Sequence, residues 1–329
     1  MSFRLFENGR WMISALLILV LVSACNKKKQ DESSEADGDT SYYVTESAVT
    51  EVGQMAASVE AGELSLLASN TSPLQSPIHS LAACSYDTAR SSCSSLVTTV
   101  VWDSCTLSHT TSAGTVSATL KGTITETYSG FGAAMCKLTG DNSTVKRLIS
   151  ATDPWVLTLA SGATLTRDMD PGTAFDGTTF PSASQGTSIV RKESGTSNGL
   201  TCAPSDRCYE ITANGLHKTF KGPKGRTWFE HIVDSNMTVK GKKSDGTRAM
   251  TGTASIWHEV AQYKAVNTFT NVTWGSATCC YPTAGTISTV LTGSITGTTS
   301  MTFSTTCGEV SFTGTDSSVN TISLTQCAE

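Results

Sequence analysis

From Leu96 onward, apolar and polar positions alternate with a period of two in short runs separated by Gly, Asn and Asp, which predicts an antiparallel β protein. The clearest run is Thr115 to Tyr128. Its even positions are Val116, Ala118, Leu120, Gly122, Ile124, Glu126 and Tyr128, and its odd positions are all polar. One face is thus suited to burial and the other to water. The run is longer than the usual strand of about 3 to 10 residues, and Gly122 near its centre predicts a bend or bulge. Further on, Thr227 to Val233, Asn236 to Lys242 and Thr247 to Trp257 predict a meander of three strands, with Asp245-Gly246 as a tight turn between the last two. Val310 to Gln326 adds two short strands before Cys327. Upstream, Val52, Met55, Ala56 and Val59 recur at helical spacing and Gly62 follows, which predicts one short helix from about Ser47 to Ala61.

The same strand pattern occurs twice. Ala113-Gly114-Thr115-Val116-Ser117, then Leu120, Gly122, Ile124 and Thr125, matches Ala284-Gly285-Thr286-Ile287-Ser288, then Leu291, Gly293, Ile295 and Thr296. Cys136 and Cys307 stand at the same offset, and Trp102 corresponds to Trp274 if one residue is inserted. An internal duplication with units of about 96–136 and 268–307 is therefore expected. The expected fold is mainly β: a large antiparallel sheet or β-sandwich, stabilised by disulfides, over residues 47–329.

Charged residues make up only 16% of the chain, so the polarity of the exposed strand faces is carried by Ser and Thr, whose hydroxyls suit the pleat. Residues 1–24 have the parts of a secretory leader: Arg4 and Arg10, an apolar run from Trp11 to Val22, then the small Ser23 and Ala24. The apolar run is shorter than the roughly 20 residues a membrane-spanning helix needs. The segment 25–46 is rich in Lys, Asp, Glu, Ser and Gly and reads as a flexible tether that buries no core. Without the leader, 21 basic and 27 acidic groups leave a formal charge of −6, which gives no global attraction to nucleic acid.

Val22-Ser23-Ala24-Cys25 resembles the lipobox of bacterial lipoproteins, in which the cysteine is cut free and lipidated. The resemblance implies a diacylglyceryl thioether and an N-acyl group on Cys25, enough chains to hold a protein stably at a bilayer. Asn26 stands where inner-membrane retention in such lipoproteins is marked by aspartate, so the resemblance implies the outer membrane, with either leaflet open. Near the other end, Cys279-Cys280-Tyr281-Pro282, Gly285, Phe303, Cys307-Gly308 and Cys327 resemble a C-terminal pattern of uncharacterised lipoproteins from predatory and other deltaproteobacteria. That pattern implies location and disulfides, not an activity.

Ten cysteines remain beside Cys25: 84, 93, 105, 136, 202, 208, 279, 280, 307 and 327. Their even number and the leader predict disulfides. The matching positions of Cys136 and Cys307 assign Cys105 to Cys136 and Cys279 or Cys280 to Cys307. Cys84 with Cys93 and Cys202 with Cys208 close short loops, and Cys327 takes the other member of the adjacent pair. Their spacing suits zinc poorly, so neither a metal site nor a cofactor is expected.

Candidate chemistry is sparse. Gly195-Thr196-Ser197-Asn198-Gly199 has the form of a serine-hydrolase elbow, but no helix pattern follows it. Glu230-His231 and His258-Glu259 offer acid/base groups if their strands meet, with His217 as a third member. Asp168, Asp170 and Asp176 offer carboxylates without calcium-loop spacing. Ser and Thr rows would suit a lattice-like ligand. Between His217 and Arg248, eight basic residues face three acidic ones, a local excess of +5 in an acidic protein. Lys218, Lys221, Lys224, Arg226, Trp228 and Lys240 are the ligand-binding candidates, for an anionic glycan, lipopolysaccharide or envelope protein. The expected function is a non-enzymatic binding or interaction module on the outer membrane, attached through acyl chains. The alternatives are an envelope hydrolase with a scattered site and a structural outer-membrane assembly protein.

Overall fold

The structure, a computed structural model, describes residues 96–111, 114–130, 138, 140–169, 171–181, 185–204, 206–241, 248–275, 279 and 281–323. The predicted helix, the leader and the tether lie outside these residues. What is described is antiparallel sheet without a helix, as the alternation requires.

The chain begins with a hairpin of β1 (Val97–Thr111) and β2 (Gly114–Ser129). The far edge of β2 is shared end to end by two short strands, β3 (Thr144–Ile149) and β4 (Trp155–Leu159). Their partners β5 (Thr164–Asp168) and β6 (Gly186–Lys192) in turn share one edge of β9 (Arg207–Lys221). Between β6 and β9 a separate small hairpin is made by β7 (Thr196–Ser197) and β8 (Leu200–Thr201). Beyond β9 the chain runs as a plain meander: β10 (Thr227–Gly241), β11 (Arg248–His258), β12 (Tyr263–Trp274), β13 (Ala284–Gly293), β14 (Gly297–Phe303), β15 (Glu309–Thr313) and β16 (Val319–Ser323). All but β7 and β8 belong to one sheet of fourteen strands.

One face of this sheet carries the core. Tyr128, Val145, Ile189, Ile211, Met237, Gly252, Phe269, Ile287, Met301 and Phe312 are successive partners across ten strands and make a single row. Apart from Gly252, these side chains belong to one buried cluster, each contributing on the order of 1.5 to 3 kcal/mol by leaving water. The adjacent row is polar and satisfied: Thr289 Oγ1 donates to Asn267 Oδ1 (2.8 Å), and Asn267 Nδ2 donates to the Ala254 carbonyl (3.2 Å). At the start of that row Glu126 accepts from Arg147 Nε (3.1 Å) and Nη2 (2.8 Å), so this buried carboxylate is paired.

On β2, Leu120, Gly122, Ile124, Glu126 and Tyr128 are buried, which is the even-numbered face expected from the sequence. The two strands expected at Thr227–Val233 and Asn236–Lys242 are instead one. His231, Val233, Ser235, Met237 and Val239 keep odd parity throughout β10, and Asp234-Ser235 make no turn. Ser235 is compatible with the buried face because its hydroxyl accepts the Ala213 N–H at 3.2 Å. Asp245-Gly246 lie outside the described residues.

The repeated strand motif corresponds to β2 and β13. Gly122 and Gly293 both have positive φ, +123° and +108°, and a Cβ at either would approach a neighbouring carbonyl oxygen to within 2.3 and 2.5 Å. Their surroundings differ. Trp102 is opposite Gly122, whereas Gly293 is opposite Tyr263 and Trp274 lies at the other end of β12. The likeness is that of a kinked strand, and the proposed Trp correspondence does not extend it.

Cys202–Cys208 and Cys279–Cys307 are bonded, with Cα separations of 5.8 and 5.7 Å. Cys84, Cys93, Cys136, Cys280 and Cys327, and the side chain of Cys105, lie outside the described residues.

Candidate functional site

Two excursions lie on the sheet's second face, above β9, β10 and β11. The first, residues 171–181, brings Ala174 and Phe180 onto Ile232 and Trp257. Asp176 accepts the Trp257 Nε1–H at 2.9 Å, and Glu259 accepts the Phe175 N–H at 2.9 Å. The second is the β7–β8 hairpin. Asn198 and Gly199 have φ of +46° and +85°, the pattern of an Asn-Gly turn that matches strand twist. Ser197 shares a 2.7 Å hydrogen bond with Thr238, and Asn198 Nδ2 donates to Asn236 and Thr238 at 3.0 Å each. Ser197 thus sits in a two-residue strand against Thr238, and the turn that follows leads to a second strand and not to a helix, so the motif lacks the geometry of a serine-hydrolase elbow.

The acid/base candidates do come together, but not in the expected pairs. His231 and His258 are opposite each other in the β10–β11 ladder and share a 2.9 Å hydrogen bond on the buried face. Neighbouring side chains in a strand point to opposite faces, so Glu230 and Glu259 lie on the other side of the sheet. There Glu230 meets His217, whose Nε2 is 2.9 Å from Glu230 Oε1 and whose Nδ1 is 2.9 Å from Asp168 Oδ1. Burial pulls the His217 imidazole down. The hydrogen bonds and charges of Asp168 and Glu230 outweigh that, and its pKa lies above the ordinary value. Burial pushes the Glu259 carboxyl up, the Phe175 N–H opposes this, and Glu230 and Asp176 add to the rise.

Of the three aspartates considered together, Asp168 is committed to His217, and Asp176 to Thr178 N and Trp257. Asp170 lies outside the described residues. Among the described residues, no group of three or more His, Cys, Asp or Glu is arranged to hold a metal ion.

The basic candidates do not share one face. Lys218 is buried, 3% exposed, opposite His231, with Nζ 5.9 Å from the Phe229 ring centre. Lys221, Lys224 and Arg226 are exposed at the β9–β10 turn. Trp228 is half-buried, its ring 5.3 Å from that of Phe220. Lys240 lies near the opposite end of β10, roughly 45 Å away at about 3.4 Å per residue, and its Nζ is held by the Thr201 carbonyl (2.9 Å) and Asp206 (3.0 Å). Charges so far apart do not reinforce one another across a Debye length of about 8 Å. Lys242 and Lys243 lie outside the described residues.

The concave feature on this face was not anticipated. An open groove of about 430 Å³ is lined by Lys146 of β3, Ser188 of β6, Thr212 and Asn214 of β9, and Asp234 and Asn236 of β10. Its shape comes from a bulge: between Ala213 and Leu216, β9 has one residue more than the facing stretch of β10. The sequence carries that signal. Buried positions in β9 switch from odd (Tyr209, Ile211, Ala213) to even (Lys218, Phe220) across Asn214-Gly215. Asp234 is exposed, and partial desolvation by its neighbours still pushes its carboxyl up, while Lys264 and the Ser235 N–H oppose the shift. Among the described residues, the side chains of Lys146, Ser188, Thr212 and Asn214 make no hydrogen bond or ion pair, so their polar groups face the groove uncommitted. The same face continues over β11 to β15 as a hydroxyl row, Thr253, Thr268, Ser288, Ser300 and Thr313.

In comparisons with known proteins, the chain matches no family model, no curated protein and no solved structure.

Proposed function

We propose that this chain is a lipid-anchored module of the outer membrane that binds a small polar ligand in the groove over β6, β9 and β10, without catalysing a reaction. The observation that carries the reading is the set of uncommitted polar side chains converging on one concavity of about 430 Å³, within the usual volume of ligand sites. The lipobox-like Val22-Ser23-Ala24-Cys25 and the polar stretch after it supply the anchor and tether. The hydroxyl row on the second face fits an aqueous surface, whereas lipid-facing strands present an apolar band. The hydrolase alternative has less support, because the ring nitrogens of His217 are paired with the Asp168 and Glu230 carboxylates at 2.9 Å each, and the one hydroxyl beside Nε2, that of Thr219, stands farther off at 3.3 Å.

The test is to fill the groove with Ser188→Tyr and follow thermal unfolding against lipopolysaccharide, peptidoglycan fragments and neutral oligosaccharides. Stabilisation of the parent by at least one of these, lost in the variant, supports the reading. Equal response of parent and variant to every ligand overturns it.

A further inference from the structure

The groove has opposite charges at its two ends. Lys146 starts on β3, and its stem crosses onto the next strand at Gly186, where a Cβ would stand only 3.2 Å from Lys146 Cε. Gly186 is opposite Asn214, and Asn214 belongs to the bulge that faces Asp234 on β10. Ammonium and carboxylate therefore lie about two strand spacings apart, roughly 10 Å, with the Asn214 amide between them. Ser188 and Thr212, directly opposite each other, place hydroxyls along one side. No ion pair joins Lys146 to Asp234. The cation whose charge acts on Asp234 is Lys264, whose Nζ stands 4.1 Å from the Trp257 ring centre.

An ammonium, an amide and a carboxylate in a row make a complement to a molecule carrying the reverse order. A purely anionic ligand would meet Asp234, and a purely cationic one would meet Lys146. Resting on the reading of the groove as a ligand site, we propose that it takes a small zwitterion of about dipeptide length, with the ligand carboxylate on Lys146, its ammonium on Asp234 and its central amide on Asn214. Charge-assisted hydrogen bonds at both ends contribute most of the selectivity, and each contributes more than a neutral pair.

The experiment is calorimetric titration of the purified full-length protein in detergent with alanyl-alanine, N-acetyl-alanyl-alanine, alanyl-alanine amide and maltose. Alanyl-alanine is expected to bind, and blocking either of its ends is expected to weaken binding by about tenfold or more, the loss of one hydrogen bond to a charged group. Lys146→Met and Asp234→Asn are each expected to lose a similar factor while unfolding at the parent temperature, and Lys221→Met to lose nothing. If alanyl-alanine does not bind at millimolar concentration, or binds no better than its blocked forms, the proposal is overturned. If maltose binds instead and Ser188→Tyr abolishes it, the zwitterion is wrong while the groove remains a ligand site.

Discussion

His258 Nδ1 and His231 Nε2 share a 2.9 Å hydrogen bond across β10 and β11, and both rings are buried. The His231 ring is also 4.8 Å from that of Phe229, and the His258 ring is stacked on Tyr263 at 4.1 Å. Burial first, and then the charge of Lys218, drive the His231 pKa down to about 3. The unfolded chain would take up a proton near pH 6.5 that the folded chain refuses. Stability from this residue is thus fully present above pH 6.5 and is lost as pH falls toward 3. Urea unfolding should show the parent losing about 3 kcal/mol between pH 7 and pH 4 from this source. The double variant His231→Phe with His258→Phe should lack that increment, and equal pH slopes in the two proteins would refute the assignment.

His217, on the other face, acts with the opposite sign. Its pKa is raised despite burial because Asp168 and Glu230 hold the imidazolium, so its contribution is complete below pH 6.5 and fades as pH rises through the folded value. Glu259 is a third nearby carboxylate. Proton-detected NMR of the imidazole should place the His217 midpoint above 6.5, and Glu230→Gln should lower it. A midpoint unmoved by Glu230→Gln would show that the short contact carries no charge coupling.

The burial pattern was legible wherever strand parity ran unbroken. On β2 the alternation located the buried face residue by residue, including Glu126, whose burial makes sense only once Arg147 stands opposite it. Lys218 was misplaced for a physical reason: a lysine reads as surface, but the bulge at Asn214-Gly215 turns its position inward against Phe229. The division of β10 failed because Asp234-Ser235 looks like a turn in isolation, while Ala213 N bonding Ser235 stabilises it as strand. The His217 cluster depends on β5 reaching β9, a pairing across the whole β6–β8 excursion that no local pattern encodes. The groove was hidden for the same reason, although the parity switch marked its bulge.

Cys279 and Cys307 tie the segment before β13 to the loop between β14 and β15, with 28 residues of sequence separation. A loop of that length gives an unfolded-state entropy effect of about 3 to 4 kcal/mol in the chain-entropy model. Replacing both cysteines with Ser should lower stability by about that amount and shift thermal unfolding by several degrees. Non-reducing peptide mapping should recover Cys279 joined to Cys307. A Cys136–Cys307 peptide would contradict the pairing.

The last prediction concerns Cys25 and the tether. On the proposed reading, the apolar run from Trp11 to Val22 is too short to span a bilayer and Val22-Ser23-Ala24-Cys25 directs acylation in its place. The hydroxyl row on the sheet's second face, Thr253 and Thr268 among it, is not the continuous apolar band of a lipid-facing sheet, so the proposed acyl chains are the expected attachment. Cys25→Ala expressed with its leader should therefore leave the membrane pellet and appear in a soluble fraction, with the Cys202–Cys208 and Cys279–Cys307 bridges still formed as a sign of export and folding. Mass spectrometry of the parent's first mature peptide should show a mass added to Cys25 equal to diacylglycerol plus one acyl chain. Variant protein that still sediments wholly with membranes while carrying both bridges would rule out the lipid anchor and require a binding surface elsewhere on the chain.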